Sequence, residues 1–260
     1  MSRLIAVTGK GGTGKTTVSA ALVRLLLEAG VRPVLAVDAD PNHNLAPILG
    51  VSVRTTLSDI REEIMAGKSK ASSTPKDRLL KQRLEECLVE AEGFDLLAMG
   101  RPEGPSCYCY VNNLLRDALR LLAANYRAAV IDNEAGMEHL SRMNISSVDC
   151  LLVISEPSAV SARAAGRIAG LAESLGIKVG RRVLVWNKVA AGGPPEAARR
   201  AAAGKPFDAE LELPADERIE ELAVQEKSIF GVRLPEAFAG LAEACGAESG
   251  KAASGRRGQA

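Results

Sequence analysis

Residues 9–17 read Gly9-Lys10-Gly11-Gly12-Thr13-Gly14-Lys15-Thr16-Thr17, and this stretch decides the fold. It satisfies the phosphate-binding loop pattern and lies where that mechanism needs it, after an apolar strand, Leu4–Val7, that ends at Thr8. An amphipathic helix follows from near Lys15: Val18, Ala21, Leu22, Leu25, Leu26 and Ala29 share one face at helical spacing, and Gly30 supplies the stop. Glycines let backbone N–H groups turn inward around phosphate oxygens, and the helix N-terminus adds roughly half a positive charge. Lys15 is then expected on the β- and γ-phosphates of a nucleotide, and Thr16 on Mg²⁺.

Outward from the loop, short apolar runs recur at Val34–Val37, Leu96–Met99, Ala129–Ile131, Leu151–Ile154 and Val183–Trp186, separated by longer amphipathic segments such as Ala159–Leu175, which Gly176 ends. This rhythm predicts an α/β fold: a single P-loop NTPase domain over residues 1–245, with a mostly parallel twisted sheet covered by helices on both faces. The polar stretch Lys68–Lys76 reads as a surface excursion, and residues 246–260, lacking any bulky apolar side chain, as a disordered polar tail.

Lysine and arginine number 33 against 32 aspartates and glutamates, so the net charge of +1 gives no global reason to expect nucleic acid or a membrane surface as partner. No apolar run approaches the roughly 18–20 residues that span a bilayer, and the N-terminus shows no leader pattern, so a cytoplasmic location is expected. Five cysteines in 260 residues are too few for a disulfide framework. Cys87, Cys150 and Cys245 stand apart and read as buried packing, whereas Cys107 and Cys109 form a Cys-x-Cys pair ahead of a helix-like segment, Asn112–Leu122.

Carboxylates end two of the strands. Val37-Asp38-Ala39-Asp40-Pro41-Asn42 places two beside the loop, and Val130-Ile131-Asp132, followed by Asn133-Glu134-Ala135-Gly136, places a third. Phosphoryl transfer needs one oxygen acceptor to orient the attacking water and another for the magnesium shell, which Asp38 and Asp40 could supply; the alternative is a pair of solvated turn residues. Asn187-Lys188 follows the Val183–Trp186 strand, and no aspartate stands two residues on, so a guanine signature is absent.

The second lysine of the loop, Lys10, gives GKGGxGKT, which resembles the deviant Walker A motif of the MinD/ParA and nitrogenase iron protein superfamily. That resemblance implies an ATP-sandwich homodimer in which Lys10 reaches the partner's nucleotide, and it assigns Asp40 to the water and Asp38 to the metal or the switch. It likewise assigns Asp132 to Mg²⁺ through water, the Gly136 backbone to the γ-phosphate, and Asn187, Lys188 and Pro214 to adenine. ATP contacts are then expected from Gly9, Lys10, Gly11, Gly12, Thr13, Gly14, Lys15, Thr16 and Thr17.

The phrase MGRPEGPSCYCYVNNLLR, with GMEHL at 136–140, is similar to the CooC family, accessory ATPases that insert nickel into carbon monoxide dehydrogenase. This resemblance implies that Cys107 and Cys109 bind Ni²⁺, or competing Zn²⁺, at a dimer interface where two pairs complete a four-sulfur site. The implied client is the apo catalytic subunit of carbon monoxide dehydrogenase, with acetyl-CoA synthase as an alternative. His43 and His139 read as polar loop or helix residues and not as further ligands. Two other classes stay open: a MinD/ParA-type positioning ATPase, which leaves the cysteine pair unexplained, and an iron–sulfur ATPase like the nitrogenase iron protein, whose cysteines lie on well-separated loops.

Overall fold

Strand β1 (Arg3–Gly9) is buried from Ile5 to Gly9, the pattern of a strand covered on both faces. It runs through the interior of an eight-stranded sheet of order β3-β4-β2-β5-β1-β6-β7-β8. Its neighbours are β5 (Ala128–Asp132) and β6 (Ser147–Ser155), both parallel to it. Beyond β5 come β2 (Val34–Asp38), β4 (Phe94–Ala98) and β3 (Val89–Ala91), the last antiparallel. Beyond β6 come β7 (Lys178–Val189) and β8 (Ala209–Pro214), parallel throughout. This computed structural model describes residues 2–41, 44–65, 76–101, 107–136, 145–225 and 227–247.

Side chains alternate across the sheet into two cores. On one face Ile5, Val7, Val130, Leu152 and Val185 meet α1 (Lys15–Glu28), α2 (Leu45–Leu49), α8 (Glu217–Gln225) and α9 (Gly240–Ala244) through Leu22, Leu26, Leu45, Leu222 and Leu241. On the other, Ala6, Val37, Leu97, Ile131 and Trp186 meet α3 (Leu57–Met65), α4 (Lys76–Cys87), α5 (Cys107–Leu122), α6 (Ala159–Ser174) and α7 (Glu196–Ala202). Truncating one fully buried leucine here, such as Leu26, costs about 2–5 kcal/mol through lost burial and the cavity left behind. The doubly covered, mostly parallel sheet agrees with the sequence expectation.

Six strands stand where the apolar runs place them, with the Leu96–Met99 run shifted to Phe94–Ala98. Two edge strands were not legible: β3 is a three-residue partner in a hairpin, and β8 hides behind glutamates that alternate with its inward side chains. Helix α6 starts with Ser158 accepting a hydrogen bond from the Ser161 N–H at 3.2 Å, and Gly176 follows its end at φ 70°. Helix α5 begins at Cys107, five residues ahead of the expected Asn112. Ala247, within the expected tail, is buried and donates its N–H to Ala242 O at 2.9 Å. Residues 248–260, like most of the 68–76 excursion, lie outside the described residues, while Lys76 already belongs to α4. Among the described residues no helix is long and apolar enough to cross a membrane.

Candidate functional site

The Gly9–Thr17 segment joins β1 to α1 at the carboxyl end of the sheet, and its backbone leaves no room for a side chain at Gly9 or Gly14. A Cβ on Gly9, where φ is +154°, would sit 2.4 Å from the carbonyl oxygen of Ile154 on β6. Gly14 is left-handed at φ +88° and stands at the N-cap of α1 without any side-chain cap, so the first N–H groups of the helix face the loop's concavity. The Lys10 carbonyl accepts from the Thr13 hydroxyl at 2.9 Å and from Lys15 Nζ at 3.4 Å, which folds the loop around the buried Lys15. The side chain of Lys10 points the other way in burial terms: it is exposed.

Asp38 and Asp132 are register partners on β2 and β5, and both are buried. Asp38 accepts from the N–H of Asp40 at 3.1 Å and of Leu45 at 3.0 Å, so it holds the segment that carries Asp40. Burial, then the charge of Asp132, pushes its carboxyl up to about 7 despite those two donors. Asp132 accepts from the Ser19 hydroxyl at 3.0 Å. Burial raises its pKa to about 6, against the pull of the Thr16 and Ser19 hydroxyls and the Lys15 ammonium. Its Oδ2 is buried without a hydrogen-bond partner among the described residues. A carboxylate oxygen left open beside Thr16 and Lys15 suits a hydrated Mg²⁺, so the residues present fit that ion.

The segment after β5 is latched to the loop. Gly136 N–H donates to Gly9 O at 3.2 Å, and the Thr8 hydroxyl donates to Gly136 O at 2.5 Å. Asn133 is buried; its side-chain amide donates to Val7 O at 2.9 Å and its N–H to Val7 O at 3.1 Å, so it ties β5 to β1.

These elements wall a cleft of about 790 Å³. Gly11, Gly12, Gly14, Lys15, Thr16 and Thr17 line one end with Asp40 and Glu134, and Asn187, Lys188 and Pro214 line it further along. Asn187 donates its amide to Thr13 O at 2.8 Å, and Lys188 reaches Gly12 O at 3.4 Å and pairs with Glu156 at 3.2 Å. Both residues therefore brace the loop in this structure. Sequence reading missed further wall residues, among them Ile48, Ala215, Asp216, Ile219 and Phe238, and Ser19, which anchors Asp132. Ser19 could have been found, since it follows Lys15 by one helical turn; the others come from segments with no motif of their own.

Cys107 and Cys109 occupy the first turn of α5, but their side chains lie outside the described residues, as do His43 and His139 entirely. Among the described residues no group of three or more His, Cys, Asp or Glu is arranged to hold a metal.

Residues 4–229 match the CobQ/CobB/MinD/ParA nucleotide binding domain. The chain is 45% identical over 190 residues to an uncharacterized ATP-binding protein of Methanocaldococcus jannaschii, covering 72% of this chain and 74% of that protein. It is 38% identical over 186 residues to the carbon monoxide dehydrogenase accessory protein CooC of Rhodospirillum rubrum, covering 67% and 70%. Among solved structures, the septum site-determining protein MinD complexed with Mg-ADP from Pyrococcus horikoshii superposes with a TM-score of 0.67 at 26% identity, over 94% of this chain and 95% of that one. The glycine-lined loop, the strand-end carboxylates and these similarities together place the chain in the CobQ/CobB/MinD/ParA nucleotide-binding family of P-loop ATPases.

Proposed function

We propose that the protein is an ATP-dependent nickel metallochaperone that supports maturation of the carbon monoxide dehydrogenase active site. The observation that carries this reading is the Cys-x-Cys pair at the first turn of α5 in a chain 38% identical to CooC. Cys107 and Cys109 are one residue apart and can supply only half of a four-coordinate site, so a symmetric dimer is needed to finish it. Lys10 supplies the reason to dimerise, because an exposed lysine on the phosphate loop can reach a nucleotide held by a second copy.

In this reading residues 1–245 are one ATPase domain acting in the cytoplasm. The backbone of Gly9 to Gly14, with Thr17, cradles the phosphates, Lys15 neutralises the β- and γ-oxygens, and Asp40 orients the attacking water. Thr16 and, through water, Asp132 would hold Mg²⁺, which when bound spreads the charge developing on the phosphates. Asp38 positions Asp40, the Gly136 backbone senses the γ-phosphate, and Asn187, Lys188 and Pro214 face adenine. ATP closes the dimer and assembles the thiolates around Ni²⁺, with Zn²⁺ as competitor; hydrolysis opens it toward the apo catalytic subunit.

The direct test is nickel titration of the ATP-bound protein against the double variant Cys107→Ala, Cys109→Ala. Loss of about one Ni²⁺ per dimer supports the assignment, and undiminished binding overturns it. The fold shared with MinD favours a second reading, a positioning ATPase. Pelleting with liposomes or DNA in the presence of ATP separates the two.

A further inference from the structure

We propose that Cys150 and Cys245 form a redox-active pair, a modification site at the opposite end of β6 from the nucleotide cleft, which a peroxide converts to a disulfide. The two sulfurs lie 3.6 Å apart although 95 residues separate them in the chain. Both are buried, at 2% and 4% exposure, so neither thiol faces bulk solvent. Cys245 donates its S–H to Cys150 Sγ, and Cys150 in turn lies 3.9 Å from the carbonyl of Ala244.

The surroundings separate the roles of the two sulfurs. Cys150 lies in register with Ile5 on one side and Arg181 on the other. The Cys245 hydrogen bond, then the charges of Arg181 and Arg3, draw its pKa below the ordinary thiol value against burial and Asp149. Cys245 is shifted the opposite way, by the same hydrogen bond and by burial. Cys150, in register with Arg181, serves as the attacking thiolate, and Cys245, whose S–H points at it, as the resolving thiol. Cys87 is the contrast: burial and the carboxylates of Asp59, Glu86 and Glu63 push its thiol up to about 12, and among the described residues no second thiol lies against it.

Access comes through local opening at α9. Cys245 directly follows α9, a five-residue helix, and short elements open locally at a small fraction of the cost of global unfolding. Hydrogen peroxide is small enough to enter through such an opening. The Cys150 thiolate attacks one peroxide oxygen, the O–O bond breaks, and Cys150 sulfenic acid and hydroxide result. The Cys245 sulfur then attacks the sulfenic sulfur; the S–S bond forms, the S–O bond breaks, and the departing hydroxide leaves as water with the thiol proton. Two thiols and one peroxide give one disulfide and two waters, two electrons passing from sulfur to oxygen. The product would staple the end of α9 to β6.

Treatment of the full-length protein with hydrogen peroxide, alkylation under denaturing conditions and non-reducing peptide mapping test this. The expected product is a linked pair of peptides bearing Cys150 and Cys245, lighter by about 2 Da than the two thiols and separated again by dithiothreitol, with Cys87 still alkylated. The linkage disappears in Cys245→Ser. If that variant does not fold, the map of the unaltered protein decides alone. Full alkylation of Cys150 and Cys245 after peroxide, or sulfonic acid at Cys150 without a link, overturns the proposal.

Discussion

The side-chain amide of Asn187 donates to the carbonyl of Thr13 at 2.8 Å, joining positions 174 residues apart, and the same nitrogen would stand 2.4 Å from a Cβ on Gly14. Strand β7 thus clamps the phosphate loop from outside. Replacing Asn187 with alanine leaves the Thr13 carbonyl without this donor in a buried setting, a loss of about 1–3 kcal/mol. ATP affinity is expected to fall about tenfold, measured by calorimetric titration. An unchanged affinity would remove Asn187 from the account of the site.

Gly14 is constrained twice, by its left-handed backbone and by that contact. Gly14→Ala should leave the far-ultraviolet circular dichroism spectrum unaltered, since α1 is held by Leu22 and Leu26 in the core, while ATP affinity drops by about tenfold or more. Retained affinity would mean that the loop re-forms around a side chain, contrary to the crowding described above.

Two buried carboxyls make the stability of the nucleotide-free protein depend on pH. Asp38 titrates near 7 and Asp132 near 6, both above the ordinary 3.8, so the folded chain binds more protons than the unfolded one between these values. Their contribution is fully present below about pH 4 and is lost as pH rises through 6 to 7. For Asp38 the loss is on the order of a few kcal/mol. Urea unfolding of the wild type minus that of Asp38→Asn should decline across this window and level off above about pH 8. A flat or rising difference contradicts the burial of a carboxyl that is costly to ionise.

Lys10 is exposed while Lys15 is buried, so the two lysines of one loop can be separated by mutation. Lys10→Ala should bind ATP within about threefold of the wild type but fail to dimerise with ATP in light scattering. Lys15→Ala should lose ATP binding itself. A dimeric Lys10→Ala protein would sink the reading in which this residue crosses the interface.

The phosphate loop, the six apolar strands and the strand-end carboxylates were legible because each carries a local signal: glycines before Lys-Thr, period and length of apolar runs, an aspartate at the run's end. What escaped is what depends on neighbours. Strand β8 carries Glu210 and Glu212 outward, and Glu210 accepts from the Trp186 ring N–H at 2.9 Å, a pairing visible only once β7 lies beside it. Asp38 looked like a metal or switch residue, and only its two backbone donors show it tethering Asp40. Cys150 and Cys245 read as separate packing residues because no sequence spacing reports contact across 95 positions.

The Met99 N–H donates to the carbonyl of Asp38 at 2.9 Å, and Met99 O in turn accepts from the N–H and hydroxyl of Ser58. The residue whose side chain steadies Asp40 therefore also holds, through its carbonyl, the residue that follows β4. One carbonyl group on β2 thus ties the aspartate segment beside the phosphate loop to the end of β4 and, through Met99, to the start of α3.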